Sequence, residues 1–161
     1  MRVGFGFDTH RFTDGDEIIL GGVTIPFHKS ICAHSDGDVL LHALCDALLG
    51  ALALGDIGQH FPDNDPEFAD CSSTGLLNSV YAMVLAKGYV LSNIDSVVVC
   101  EQPKLAPSIV AMRENIAAQL SVSVDCVSVK ATTNEGLGFI GRGEGLSAQV
   151  VVCLLSTAVD A

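Results

Sequence analysis

The chain has 161 residues, 49% of them hydrophobic and 17% charged, with a formal net charge of −11 and a mean hydropathy of +0.46. This length suits one domain, residues 1–161, with a substantial core. The acidic balance argues against nucleic-acid backbone binding, which needs a basic face, but allows a phosphorylated small molecule neutralised by bound divalent ions.

Arg2 to Phe7 reads as a strand from its Val/Phe pattern, and Glu17–Leu20 with Val23–Pro26 reads as a hairpin around Gly21-Gly22. His34 to Asp38 is a polar loop that supplies an N-cap in Ser35 or Asp36, with Asp38 at the positive end of the next helix. That helix runs from Val39 to about Leu54 and is apolar nearly all round, hence buried. It is too short to cross a membrane and is interrupted by His42 and Asp46. Asp56 to Asp65 is a loop. Ser72 or Ser73 caps a second helix that runs to about Lys87 and stops at Gly88. Tyr89 to Cys100 is a long strand, Pro107 to about Leu120 a third helix, Val127 to Ala131 a strand, Thr132 to Gly145 a glycine-punctuated loop, and Leu146 to Leu155 a last strand. The pattern gives an α+β fold, a β-sheet with helices packed on one face. So much apolar residue in so small a chain points to burial between copies, a homo-oligomer. The six cysteines (Cys32, Cys45, Cys71, Cys100, Cys126, Cys153) form no CxxC pair and lie mostly in apolar segments. With no secretory signal in the sequence, they read as reduced thiols of a cytoplasmic protein.

Three good metal ligands fall on two elements that otherwise look like core. Asp8 and His10, two apart, leave the same face at the end of the first strand. His42 lies on the next long element. Three protein ligands leave a fourth position open, as in catalytic zinc sites. Asp46, one turn from His42, either orients it or solvates a helix edge. His34-Ser35 stands before a helix start, which favours a phosphate, although capping loops are common. Asp56, Gly58 and Asp63 suit hydroxyls of a substrate, or belong to a solvated loop. Lys130 to Gly145 combines Thr132, Thr133, Glu135 and a glycine run with Arg142. Those residues suit an anion and a hard cation, and a glycine-rich hairpin loop is the alternative. Neither a P-loop nor a Rossmann turn is present. Lys104 meets a phosphate or is simply exposed.

Five blocks carry a family resemblance: G-F-D-T-H (6–10), A-H-S-D-G-D (33–38), L-H-A-L-x-D-A-L-L-G (41–50), G-D-I-G-x-x-F-P-D (55–63) and K-A-T-T-x-E-x-L-G-F-x-G-R-G-E-G (130–145). In this order they resemble the 2-C-methyl-D-erythritol 2,4-cyclodiphosphate synthase family over essentially the whole chain. The resemblance implies a mixed β-sheet with helices on one face, assembled as a homotrimer with sheets facing the threefold axis and active sites between adjacent subunits. It implies one Zn2+ per site on Asp8, His10 and His42, and a second divalent ion, Mg2+ or Mn2+, on Glu135. His34 and Thr133 are expected to stabilise the transition state. Substrate contacts are expected from Asp8, His10, His34, Ser35, Asp56, Ile57, Gly58, Phe61, Pro62, Asp63, Asn64 and Asp65. The cytidine and diphosphate pocket is expected from Cys100, Lys104, Ala106, Ala131, Thr132, Thr133, Asn134 and Glu135. Phe139 and Arg142 are expected near the trimer axis, where relatives can hold an isoprenoid diphosphate.

Phe5 and Gly136 depart from the usual histidine and lysine of the family. The implied reaction is an intramolecular phosphoryl transfer. It converts 4-diphosphocytidyl-2-C-methyl-D-erythritol 2-phosphate to 2-C-methyl-D-erythritol 2,4-cyclodiphosphate and CMP in non-mevalonate isoprenoid biosynthesis. No enzyme nucleophile is required, and no nucleic acid or membrane is involved. A zinc phosphohydrolase and a non-catalytic isoprenoid-diphosphate-binding trimer are the competing readings.

Overall fold

A computed structural model describes residues 1–33, 35–62 and 72–158. Five strands form one sheet in the order β4-β1-β7-β5-β6: β1 is Arg2–Thr13, β4 Ser30–Ile31, β5 Tyr89–Val99, β6 Val127–Thr132 and β7 Gly145–Ser156. The β5–β6 pair is parallel and the other pairs are antiparallel, so the sheet is mixed. A separate hairpin joins β2 (Glu17–Leu20) to β3 (Val23–Pro26). Its two-residue turn has φ of 59° at Gly21 and 72° at Gly22, the positive pair that matches strand twist and that glycine adopts without strain.

One face of the sheet carries the helices α1 (Val39–Ala51), α3 (Ser73–Ala86) and α4 (Ile109–Leu120); α2 (Ile57–His60) and α5 (Gly138–Gly141) are single turns. Helix α1 packs on β1 and β7, α3 on α1, and α4 on α3 and β6. Leu41, Leu44, Leu48 and Leu49 of α1, Leu77 and Val80 of α3, and Val150, Val152 and Leu154 of β7 fill one core. Among the described residues no helix is long and apolar enough to cross a membrane.

The approach of α1 to β1 is set by glycine. A Cβ on Gly4 or Gly6 would be driven into the carbonyl oxygen of Ala47 or Ala43, so only bare backbone allows this distance. Two residues of strand advance about 6.6 Å and four residues of helix about 6 Å, so Gly4–Ala47 and Gly6–Ala43 repeat in step along both elements.

The opposite face is bare, and largely apolar along β1 and β7: Val3, Phe5 and Phe7 of β1 are 61%, 61% and 52% exposed, with Val151 and Leu155 of β7 exposed beside them, while Gln149 and the Asp95–Lys130 ion pair continue the same face as polar surface across β5 and β6.

Several boundaries move. Strand β1 continues to Thr13, so Asp8 and His10 lie within it rather than at its end; pairing with β7 carries it on past Phe7. Helix α1 ends at Ala51, where Ala53 takes a left-handed φ of 55° and Leu54 N–H closes onto Leu49 O. Its cap is Asp38, not Ser35 or Asp36: the Leu41 N–H donates to Asp38 Oδ1 at 3.0 Å. Single helical turns interrupt two segments expected to be loops, at 57–60 and 138–141.

Candidate active site

Asp8 and His10 have the same strand parity as Gly4 and Gly6, so they continue the row that faces α1. One further step of two strand residues brings the row to the N-terminal turn of α1, where His42 projects beside Ala43. The result is a near-equilateral triangle of donors. Asp8 Oδ2 lies 3.0 Å from His10 Nε2 and 3.2 Å from His42 Nδ1, and the two imidazole nitrogens are 3.2 Å apart. Among the described residues this is the group whose ligand atoms converge as a metal site. A tetrahedral ion with bonds of about 2.0–2.2 Å spaces its ligands by about 3.3–3.6 Å. The triangle needs only a few tenths of an ångström of expansion, so the donor set fits such an ion.

Asp8 is fixed on both oxygens, since the Thr9 N–H donates to Oδ1 at 2.7 Å while Oδ2 faces the imidazoles. Burial favours its neutral form, but hydrogen bonds from His10 and His42 outweigh that and hold the carboxyl well below the usual carboxylate range. Burial likewise opposes charging His42, yet the Asp8 hydrogen bond and the charges of Asp8, Asp38 and Asp36 raise its pKa. The far side of the His42 ring is also engaged, with Nε2 2.8 Å from Ser73 Oγ and 3.3 Å from Ser35 Oγ.

Asp38 ties the α1 N-terminus to the hairpin. It is fully buried and accepts N–H groups from Gly21 (2.9 Å), Gly22 (2.6 Å) and Leu41 (3.0 Å). Burial pushes its carboxyl up to about 6 against the pull of those bonds. Asp46 takes neither of its two expected roles: its Oδ1 accepts the Ile57 N–H at 2.7 Å and so anchors the 56–58 turn to α1. Within that turn Asp56 caps α2 through Gln59 N–H at 3.0 Å, Gly58 is exposed, and Phe61 packs against the core edge beside Pro62. His34, Asp63, Asn64 and Asp65 lie outside the described residues.

Cys100, Lys104, Ala106, Ala131, Thr132, Thr133, Asn134 and Glu135 gather at the ends of β5 and β6, apart from the triangle. The Thr133 hydroxyl donates to Glu135 Oε1 at 2.9 Å, and Glu135 holds a left-handed φ of 52°. Glu101, which sequence reasoning passed over, accepts the N–H groups of Asn134 (2.9 Å) and Gly136 (3.1 Å) and fastens the turn. Cys100 Sγ donates to Gln102 O, and burial pushes this thiol up to about 11. Phe139 is 42% exposed, and Arg142 pairs with Glu144 at 2.6 Å.

Register gives the separation of the two groups. Thr9 pairs with Ser147, Ser147 with Val99, and Val99 with Thr132. Three strand spacings of about 4.8 Å put Thr9, between the two β1 ligands, about 14 Å from Thr132 at the end of β6 in one chain.

A model of the YgbB family matches residues 1–155. The 2-C-methyl-D-erythritol 2,4-cyclodiphosphate synthase of Moorella thermoacetica is 56% identical over 161 residues, covering 100% of this chain and 99% of its own. The enzyme of the same name from Stutzerimonas stutzeri is 59% identical over 155 residues, covering 96% of this chain and 99% of its own. A solved structure of a 2C-methyl-D-erythritol-2,4-cyclodiphosphate synthase in its CDP-bound form has a TM-score of 0.89 at 36% identity, covering 96% of this chain and 100% of that one. A converging aspartate–histidine–histidine site on a mixed sheet, matched along its whole length to these enzymes, places the chain in the YgbB family, that of the 2-C-methyl-D-erythritol 2,4-cyclodiphosphate synthases.

Proposed function

We propose that the Asp8–His10–His42 triangle is one half of a cyclodiphosphate synthase active site and that the turn at Thr132–Glu135 of a neighbouring copy is the other. The activity is that of the family, a phosphorus–oxygen lyase reaction. The substrate's 2-phosphate oxygen forms a bond to the β-phosphorus, the bond from that phosphorus to the α-phosphate oxygen breaks, and CMP departs with the electron pair. The donor triangle carries this reading.

The nucleophile is already tethered, so the protein's main work is to fold the substrate for in-line attack. Asp8, His10 and His42 would hold Zn2+, and Glu135 would hold Mg2+ or Mn2+; such ions would polarise phosphate oxygens and neutralise charge on the diphosphate. His34 and Thr133 donate toward the developing charge, and Ser35 binds phosphate at the start of α1. Residues 56–58 and 61–65 enclose the methylerythritol, while Cys100–Ala106 and Ala131–Glu135 enclose cytidine and diphosphate.

We read the partner arrangement as a homotrimer built on the bare sheet face. Val3, Phe5, Phe7, Val151 and Leu155 face the axis, and Phe139 and Arg142 lie near it where an isoprenoid diphosphate fits. The separation of about 14 Å within one chain supports a site shared between copies. We assign the whole chain to one synthase domain working in the cytoplasm. Phosphorus NMR of the product tests the activity: a cyclic diphosphate with CMP is expected, and free phosphate would favour a hydrolase.

A further inference from the structure

The far side of the His42 ring carries a hydrogen-bond chain that fixes which nitrogen holds the proton. Ser73, the first residue of α3, is fully buried, and its hydroxyl lies between two groups. On one side it donates to Asp36 Oδ1. Asp36 Oδ2 accepts the backbone N–H of the same serine at 2.9 Å, and the Asp38 N–H points at Oδ1 from 3.3 Å. A carboxylate surrounded by donors accepts and does not give. The Ser73 proton is therefore spent on Asp36, and only lone pairs remain toward His42 Nε2, 2.8 Å away. Ser73 Oγ is the closer of the two hydroxyls at Nε2, with Ser35 Oγ at 3.3 Å, so Nε2 is an N–H donor; the charged ring also donates Nδ1–H to Asp8 Oδ2, and once the ring is neutral the Nδ1 lone pair is directed at the point where Asp8 and His10 converge.

We infer that Ser73 and Asp36 are positioning residues that lock His42 in the Nε2–H tautomer and so present Nδ1 to the metal. The inference rests on reading the triangle as a metal centre. The competing tautomer would donate Nδ1–H to Asp8 Oδ2 at 3.2 Å and occupy both groups needed by the ion. It would also leave the Nε2 lone pair facing the Ser73 oxygen with no proton between them. A metal-bound histidine is commonly held by a carboxylate on its other nitrogen. Here a serine relays that carboxylate from the loop before α1 to a ligand on α1 itself.

The Ser73→Ala variant of the full chain tests this. It keeps the Ser72 cap of α3 and the Ser73 N–H bond to Asp36, so folding is preserved; circular dichroism and thermal melting monitor that. Two measurements follow. Zinc affinity by chelator competition is expected to fall about 10- to 100-fold, the usual effect of losing such a support. Long-range proton–nitrogen NMR of the metal-free protein, at a pH where the ring is neutral, is expected to show His42 protonated at Nε2 in the wild type and shifted toward Nδ1 in Ser73→Ala. Zinc affinity within about twofold of wild type, or a wild-type His42 protonated at Nδ1, overturns the inference. Asp8→Asn separates the two claims. If it leaves zinc affinity intact, the metal reading falls, and the tautomer measurement still decides the role of Ser73.

Discussion

A mixing experiment tests whether the site is shared between copies. Asp8→Asn damages the donor triangle and Glu135→Gln damages the β6 turn, about 14 Å away across three strand spacings. Each variant alone should lose at least about a hundredfold in turnover. If every site takes its triangle from one copy and its Glu135 from the next, random assembly of the two variants in equal amounts restores both halves at one site in four. Activity should then return to about 25% of wild type. The variants carry different tags and are co-expressed, so that subunits randomise before assembly. CMP release is measured on the unfractionated mixture, and capture on both tags confirms that mixed assemblies formed. If each site belongs to one chain, every site carries a defect and the mixture stays at the level of the separate variants. That result would refute the shared site.

His42→Ala should abolish zinc binding by chelator competition and cut turnover by at least about a thousandfold while the oligomer persists in sedimentation; wild-type turnover in the metal-free protein would contradict this. Gly6→Ala should cost about 3 kcal/mol in urea denaturation, because the new Cβ meets the Ala43 carbonyl, which is helix backbone and cannot rotate away; a loss below about 1 kcal/mol would show that the helix shifts freely. The folded pKa of Asp38, about 6, lies above its ordinary 3.8, so between those values the folded chain keeps a proton that the unfolded chain releases. Its contribution to stability is full below about pH 4 and declines as pH rises through 6, so Asp38→Asn should cost more at pH 4.5 than at pH 7.5, by about 2 kcal/mol. Denaturation at the two pH values checks the sign, and the reverse order would mean that the three N–H bonds outweigh burial. Phe5→Glu should dissociate the oligomer in analytical ultracentrifugation and remove turnover while each chain still binds zinc, because charge would be buried without a partner; an intact, active oligomer would move the interface elsewhere.

The donor triangle was legible in the sequence because its signals are local. Asp8-x-His10 shares a face by the two-residue period, and a lone histidine in an apolar helix stands out. The strand and helix order, and the helices on one face, followed from periodicity. What escaped were interactions that depend on the tertiary approach of distant segments. Ser73 looks like an ordinary capping serine, and nothing within seven residues links it to His42, 31 positions earlier. Asp38 was read by its helix position, yet most of its bonds reach back to Gly21 and Gly22. Asp46 sits one turn from His42, which made it a candidate orienter, but a strand-facing helix turns that carboxylate to the 57–60 segment instead. The role of glycine at 4 and 6 likewise depends on α1 lying against the strand, a contact that no local pattern announces.

The two faces of β1 therefore answer to different neighbours. On the inner face, Gly4 and Gly6 let α1 come close enough for His42 to meet Asp8 and His10, so the convergence of the three donors depends on bare backbone. On the outer face, Val3, Phe5 and Phe7 interleave with those same residues along the strand and are left without cover. A one-residue slip of β1 would exchange the rows, pressing phenylalanines into α1 and turning Asp8 and His10 outward. Register along ten β1–β7 pairs, Arg2↔Leu154 to Arg11↔Gly145, prevents that slip. The strand that aims the ligands inward is thus the strand that offers its other side to a second copy, and on the reading proposed here catalysis and assembly depend on one alignment.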